Sequence, residues 1–128
     1  MRAGLADTSL FIARETGRAT RLDRLPDSLA VSVVTIGELR AGVLAADDLA
    51  IRDIRLATLT RALALDPIPI DQAVAECWAT LRLGLRDAGL RMGVNASWIA
   101  ATAIATGVPL VTQDDDDLHA PGLEVIHI

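Results

Sequence analysis

The stretch AGLADTSLFI, residues 3–12, decides the fold because it contains a complete strand-to-helix transition. Small and apolar residues come first, three residues with side-chain oxygens follow, and apolar residues then resume. Aspartate, threonine and serine commonly cap helix amino ends, so the pattern predicts a buried strand at residues 3–6 and a helix that ends near Gly17. Asp7 is therefore expected at the carboxyl end of a strand.

The same alternation of short apolar strands and helices continues along the chain. Further strands are predicted at residues 29–34, 110–112 and 123–128, and further helices at residues 35–46, 49–63, 72–87 and 95–106. Because the strands are apolar throughout, both of their faces should be covered, as in a mostly parallel sheet flanked by helices. The expected fold is an α/β sandwich in a single domain, residues 1–128.

Composition narrows the class of protein. Apolar residues make up 52% of the 128 residues, and no apolar run is long enough to span a membrane. The amino end has no signal-peptide pattern and Cys77 is the single cysteine, so we expect a cytoplasmic protein that does not enter a membrane.

The charge balance is acidic but uneven. The net charge of −5 argues against a protein that simply coats nucleic acid. All 12 basic residues are arginines, and four of them cluster near the amino end: Arg14, Arg18, Arg21 and Arg24. That cluster indicates either a surface for a polyanion or a solvated arginine face.

Three acidic residues are expected at one edge of the predicted sheet. Asp7 follows the first strand, Glu38 lies one turn into the helix after the second, and Asp114 follows the strand at residues 110–112. Sites in parallel sheets form at the carboxyl ends of the strands. Magnesium and manganese prefer carboxylate oxygens, so this convergence predicts a divalent-cation site.

Each carboxylate also has a simpler explanation. Asp7 could only cap the first helix, and Glu38 could reach back to Thr35 in a capping box. The acidic run at residues 114–117 could be a solvated turn. The shared location favours the cation site, because crowded carboxylates repel one another and a cation relieves that repulsion.

Four segments, in order and with fitting spacing, resemble the motifs of the PIN-domain ribonucleases, especially the VapC-type toxins. They span nearly the whole chain: residues 5–12, 33–42, 95–103 and 107–118. The resemblance implies a magnesium- or manganese-dependent endoribonuclease with four metal-binding positions: Asp7, Glu38, Asp114 and Asp116. It also implies supporting residues that adjoin the acidic positions or orient their carboxylates: Thr8, Ser9, Thr112 and Asp117.

The resemblance also implies partners. VapC-type proteins generally form homodimers and are held inactive by a small antitoxin protein. We expect RNA as the substrate and assign Arg14 and Arg18 to substrate binding.

One residue departs from the family pattern. The third motif usually reads Asn-Asp, and this chain has Asn95 and Ala96. Alanine can neither bind a cation nor cap a helix, and Ser97 carries no charge to replace the aspartate. Position 96 is therefore a catalytic position that lacks its carboxylate. Either the chain is a naturally degenerate member, or the aspartate was replaced to make a toxic enzyme tolerable; we favour replacement because the other acidic positions remain.

Two other functional classes compete with the nuclease. A non-catalytic PIN-like module that binds an antitoxin or RNA would explain Ala96. A phosphate-handling receiver or phosphatase would explain Asp7, but a receiver needs a late lysine and the chain has none. The phosphatase needs a second aspartate where Ser9 stands.

Overall fold

The computed structural model describes residues 2–114 and 120–128 of the chain. In those residues, four strands and five α-helices follow one another in this order: β1 (Ala3–Ala6), α1 (Thr8–Thr16), β2 (Ser28–Val31), α2 (Val33–Ala45), α3 (Leu49–Leu63), α4 (Gln72–Asp87), α5 (Val94–Thr106), β3 (Leu110–Thr112) and β4 (Val125–His127). None of these helices is long and apolar enough to cross a bilayer.

The strands form one parallel sheet in the order β2-β1-β3-β4. β1 is central, and its Leu5 is paired with Ala30 on one side and Leu110 on the other. Leu5, Val31 and Val111 have no exposed surface. The buried positions of β1 and β2 are apolar because helices cover the sheet, as predicted for an α/β sandwich with a parallel sheet, whereas β3 ends on the buried polar Thr112.

The five helices pack as two groups. Ile99 and Ala103 of α5 form a buried cluster with Leu5 and Leu110 of the sheet, and α4 packs along α5. α2 and α3 share a second cluster of buried residues, against which Phe11 of α1 packs: Leu39, Val43, Leu59 and Ala62. The sheet is therefore flanked by helices, and each group contributes its own core.

The connections bring several helix amino ends to one edge of the sheet. α1 and α2 begin directly after β1 and β2. α5 ends at Gly107, which has a left-handed φ of 70°, and the chain re-enters the sheet at Leu110. α5 therefore runs against the strand direction, and its amino end lies at the edge where the strands end.

Some predicted boundaries are wrong. β2 ends at Val31 rather than at residue 34, because the hydroxyl of Ser32 accepts a hydrogen bond from the Val34 amide and starts α2 there. The β-branched Val33 and Val34 suggested a longer strand, but they form the first turn of α2. β4 spans Val125–His127 rather than 123–128, and Leu22–Arg24 forms a short 3-10 helix that we did not predict.

Candidate active site

Asp7 follows β1 and points across the sheet edge. Its Oδ2 accepts hydrogen bonds from the Ser9 hydroxyl at 2.8 Å and from the Thr112 hydroxyl at 2.9 Å. Although Asp7 occupies the cap position of α1, its side chain makes no capping bond. The simple capping explanation for Asp7 is therefore wrong, because the two hydroxyls hold the carboxylate towards β3.

The same two hydroxyls also hold the chain that leaves β3. The amide of Gln113 donates to Ser9 Oγ at 3.0 Å, and the amide of Asp114 donates to Thr112 Oγ1 at 3.1 Å. A hydroxyl has one hydrogen to donate and two lone pairs to accept. Each hydroxyl therefore gives its hydrogen to Asp7 and accepts a backbone amide, which couples Asp7 to the start of the segment that carries Asp114.

Glu38 is held by Thr8, the residue of α1 that directly follows Asp7. Thr8 Oγ1 donates to Glu38 Oε1 at 2.8 Å and lies 2.9 Å from Thr35 Oγ1. Because Thr8 has only one hydroxyl hydrogen, Thr35 must be the donor in the second contact. The capping-box explanation for Glu38 is wrong, because Ser32 caps α2 and Glu38 instead accepts from Thr8.

Two consecutive residues at the start of α1, Thr8 and Ser9, therefore organise the two carboxylates together with Thr112 of β3. Asp7 is only 8% exposed and Glu38 is half-buried. Within residues 2–114 and 120–128, neither carboxylate has an arginine at ion-pair distance. In that same part of the chain, no hydrogen-bond donor contacts Oδ1 of Asp7 or Oε2 of Glu38. Two anionic groups without counter-charges, each with one oxygen open, have the donor chemistry that a hard divalent cation prefers.

The described residues bring together fewer acidic ligands than the predicted site contains. In the described part of the chain, no three His, Cys, Asp or Glu side chains are placed to hold a metal ion together. Asp7, Glu38 and Asp114 therefore do not by themselves form the shared cation site that the sequence led us to expect. Position 96 adds no ligand, because an alanine stands there. The two remaining candidates, Asp116 and Asp117, lie outside the described residues.

Asp114 sits where the network reaches the surface. Asp114 is exposed, its amide donates a hydrogen bond to Thr112 Oγ1, and its carbonyl oxygen lies 3.1 Å from Nδ1 of His127. Gln113 fixes this segment from the other side, since its side-chain amide donates to the carbonyl oxygen of Ile128. The end of β4 therefore supports the backbone at Gln113 and Asp114.

Ala96 lies in the first turn of α5 and is half-buried. The following residue, Ser97, is fully buried, and its hydroxyl donates to the Val94 carbonyl at 2.6 Å while it accepts from Trp78 Nε1 at 3.0 Å. Ser97 is therefore committed to a structural role and does not replace the missing carboxylate. The amino end of α5 carries a partial positive charge, which would favour an aspartate at position 96.

Arg14 and Arg18 lie away from this network. Both line a cavity of about 780 Å³ whose other walls are largely apolar, with Phe11 and Leu65 among them and Arg61 as a third arginine. The cavity approaches the acidic edge through Ala6, the residue before Asp7, and through Ile128, whose carbonyl oxygen accepts from Gln113. The structure does not bring these two arginines together with the carboxylates, and their substrate-binding role stays a prediction.

Two further residues belong to the network, although the sequence predicts no site role for them. The buried hydroxyl of Thr35, a capping candidate by its sequence, supports Thr8, and Gln113 supports the segment after β3. The signal that the sequence offers is a threonine in the first turn of a helix that follows a strand. The partners of both residues come from distant parts of the chain, which a local pattern cannot show.

A parallel sheet edged by hydroxyl-held carboxylates is the arrangement expected of a PIN domain, and the chain matches the PIN-domain family model over residues 5–122. The chain belongs to that family. It is 44% identical to the protein named Ribonuclease VapC5 of Mycobacterium tuberculosis over 126 residues, which cover 98% of this chain and 93% of the relative. It is 50% identical to Ribonuclease VapC4 of the same organism, with 100% of this chain and 98% of the relative covered.

Solved structures of related proteins share the fold of this chain. The crystal structure of VapBC-5 from Mycobacterium tuberculosis, a member of the VapBC family of toxin-antitoxin systems, contains a chain that superposes with a TM-score of 0.89. The two chains are 42% identical and cover each other completely. A chain of VapBC2 from Rickettsia felis shares the fold with a TM-score of 0.83 at 21% identity.

Proposed function

We propose that this chain is the ribonuclease toxin of a toxin–antitoxin pair, in a form that has lost one catalytic carboxylate at Ala96. The observation that carries the proposal is the pair of carboxylates, Asp7 and Glu38, held by Thr8, Ser9 and Thr112 at the carboxyl edge of the sheet. Membership of the PIN family and the ribonuclease names of its relatives support the reaction class. The substrate is the phosphodiester backbone of RNA.

The reaction requires a divalent cation, Mg²⁺ or Mn²⁺. When bound, such an ion supplies a water activated at neutral pH and stabilises the charge on the leaving oxygen. The residues that would hold it are Asp7, Glu38, Asp114 and Asp116, of which Asp116 lies outside the described residues, as does the supporting Asp117. An aspartate in place of Ala96 would add a further ligand.

The chain's own hydroxyls act as orienting groups. Ser9 and Thr112 hold one oxygen of Asp7, and Thr8 holds one oxygen of Glu38, so in each case the second oxygen is left for the cation. Partners that orient a metal-ligating carboxylate commonly matter for affinity and rate as much as some ligands do.

Ala96 weakens this site in a specific way. An aspartate there would add one negative charge and up to two oxygen ligands, next to a helix amino end that favours an anion. The present chain therefore binds the cation weakly and is nearly inactive.

The test compares RNA cleavage by the present chain, Ala96→Asp and the uncharged control Ala96→Asn, each with Mg²⁺, with Mn²⁺ and with a chelator. We expect Ala96→Asp to cleave about 10²–10³-fold faster than the other two, with activity lost on chelation. Equal rates for all three would show that position 96 is not catalytic. No cleavage by any of them would favour a non-catalytic module that binds an antitoxin or RNA, which is the second candidate and rests on Ala96 itself.

The proposed partners are a cognate antitoxin and a second copy of the chain. The structural relative VapBC-5 belongs to a toxin–antitoxin family, which supports the antitoxin. We expect the pair to act in the cytoplasm, where its RNA substrate is found.

A further inference from the structure

A second basic site lies at the turn between α4 and α5. It is a cavity of about 480 Å³ whose lining includes three arginines and three apolar residues: Arg82, Arg86, Arg91, Leu85, Leu90 and Met92. We propose that this arginine pocket binds backbone phosphates of the RNA whose cleavage is proposed above. The inference rests on that proposed function and adds to it a substrate-binding site.

The local sequence builds the pocket by bringing three guanidinium groups to one place. Arg82 and Arg86 are four residues apart on α4 and so share one face of the helix. α4 is then closed by Gly89, whose φ of 69° is left-handed, with the Leu90 amide bound to the Leu85 carbonyl at 2.8 Å. This helix-ending turn reverses the chain, so Arg91 returns to the same cavity.

The pocket has a surplus of positive charge. Like charges four residues apart on a helix repel. Asp87 lies 3.7 Å from Nε of Arg86, and both of these side chains are largely exposed. Within residues 2–114 and 120–128, no carboxylate forms an ion pair with Arg82 or Arg91. In a chain with a net charge of −5, this local surplus indicates an anionic ligand.

The aromatic residues nearby favour phosphate over base recognition. The guanidinium of Arg82 lies 5.3 Å from the ring centre of Trp78, which is itself stacked on Trp98 with centroids 4.3 Å apart. These contacts occupy the Trp78 ring and pre-order Arg82, so the pocket offers charged donors rather than an open stacking surface. Phosphate contacts position a nucleic acid without reading its sequence.

The pocket is linked to the candidate active site. Trp78, which supports Arg82, donates its Nε1 hydrogen to Ser97, the residue after position 96. Met92 lines the pocket and directly precedes Gly93, the cap of α5. α4 and α5 are joined by a short turn and pack side by side, so the end of α4 lies beside the amino end of α5. An RNA strand held at the pocket would therefore pass the amino end of α5 towards Asp7.

The test measures binding rather than cleavage, so it uses the present chain, which we expect to bind RNA without turning it over. Fluorescein-labelled oligo(U) and oligo(A) strands are titrated at several salt concentrations against the chain, Arg86→Ala/Arg91→Ala and the control Arg40→Ala/Arg52→Ala. The control removes two exposed arginines outside the pocket. Each lost phosphate contact on a single strand should reduce the salt slope by roughly 0.7, which corresponds to about fivefold in affinity at 0.1 M salt.

We expect the pocket variant to lose about 25-fold in affinity for both strands at 0.1 M salt, while the control is unchanged. Arg86→Lys/Arg91→Lys keeps the charges and should retain most of the affinity. An unchanged affinity and salt slope in the pocket variant, or no RNA binding by the present chain, would overturn the proposal. A loss of affinity for only one of the two oligonucleotides would overturn phosphate recognition. A parallel titration uses poly-glutamate: if the pocket variant lost binding to poly-glutamate but kept its RNA binding, the pocket would be assigned to an acidic protein instead.

The outcomes separate this inference from the proposed function. If Ala96→Asp cleaves RNA but the pocket variant binds normally, only the pocket proposal fails. If the pocket variant loses binding but Ala96→Asp never cleaves, the pocket remains an RNA-binding site and the nuclease proposal fails.

Discussion

Thr112 is the residue through which β3 controls the candidate active site. Its fully buried hydroxyl donates to Asp7 and accepts from the Asp114 amide, so it has a partner on each side. Thr112→Val keeps the shape but leaves both partners without this contact. We expect a loss of about 1–3 kcal/mol in the free energy of unfolding, measured by chemical denaturation.

A matched control is available for that substitution. Thr106 lies at the exposed end of α5 and donates to a helix carbonyl, so Thr106→Val should change the stability by less than about 0.5 kcal/mol. Introduced into the Ala96→Asp chain, Thr112→Val should also lower the cleavage rate. Equal stability of the two valine variants would contradict the role given to Thr112.

Gly4 is required by close packing inside the sheet. A β-carbon at this position would lie 2.7 Å from Val111 Cγ2 and 2.8 Å from Pro26 Cγ, so something must shift. We expect Gly4→Ala to cost about 1–3 kcal/mol, measured by thermal or urea unfolding. Gly37 in α2 has nothing within 4 Å of its added β-carbon, so Gly37→Ala should instead stabilise the protein by about 0.5–1 kcal/mol. Destabilisation of similar size by both would argue against this packing explanation.

At the scale of elements, the first turn of α5 carries position 96, which we expect to determine how tightly the site binds a cation. An aspartate at position 96 adds a ligand, so the folded Ala96→Asp chain should bind Mn²⁺ more tightly than the present chain. A ligand that binds only the folded state stabilises it by about 2.7 kcal/mol at one hundred times its dissociation constant. We expect Mn²⁺ to raise the melting temperature of Ala96→Asp clearly and that of the present chain little, as measured by calorimetry.

This prediction has a readout that does not depend on RNA. Ala96→Asn tests whether charge, rather than side-chain size, is needed, and it should respond to Mn²⁺ like the present chain. The same Mn²⁺-induced shift for all three chains would place the cation away from position 96.

At the scale of the whole molecule, α3 and the end of α2 leave an apolar surface uncovered. Leu49 is 76% exposed and Leu44 is 71% exposed, and Ile51, Ile54 and Leu63 are exposed as well. Such a surface in a soluble protein commonly marks an interface. We expect this surface to join two copies of the chain, with a solution mass of twice 13.5 kDa by light scattering.

Introducing charge into the surface tests the dimer. Leu49→Glu/Ile54→Glu should yield monomers, whereas Ala57→Glu, an exposed change on the same helix, adds charge without removing a large apolar side chain. A monomer at all concentrations for the unchanged chain would rule out this homodimer.

Much of this protein's fold could be predicted from the sequence alone. Apolar strands, capping residues and Gly107 predicted the bounds of β1, β3 and four helices to within about one residue. The parallel sheet was predicted because the strands are mostly apolar. These features are local, since helix period, strand length and caps are encoded within a few neighbouring residues. The assignment of position 96 to the active site rests on its motif and stays a prediction.

Only the tertiary structure decided how the carboxylates are held. Thr112 reaches Asp7 across 105 positions and Thr8 reaches Glu38 across 30, because β1 lies beside both β3 and β2 in the sheet. The sequence suggested local caps for both acids, and the hydroxyls of neighbouring elements overrode that preference. Strand order decides which side chains meet at a sheet edge, and no local window of residues contains that order.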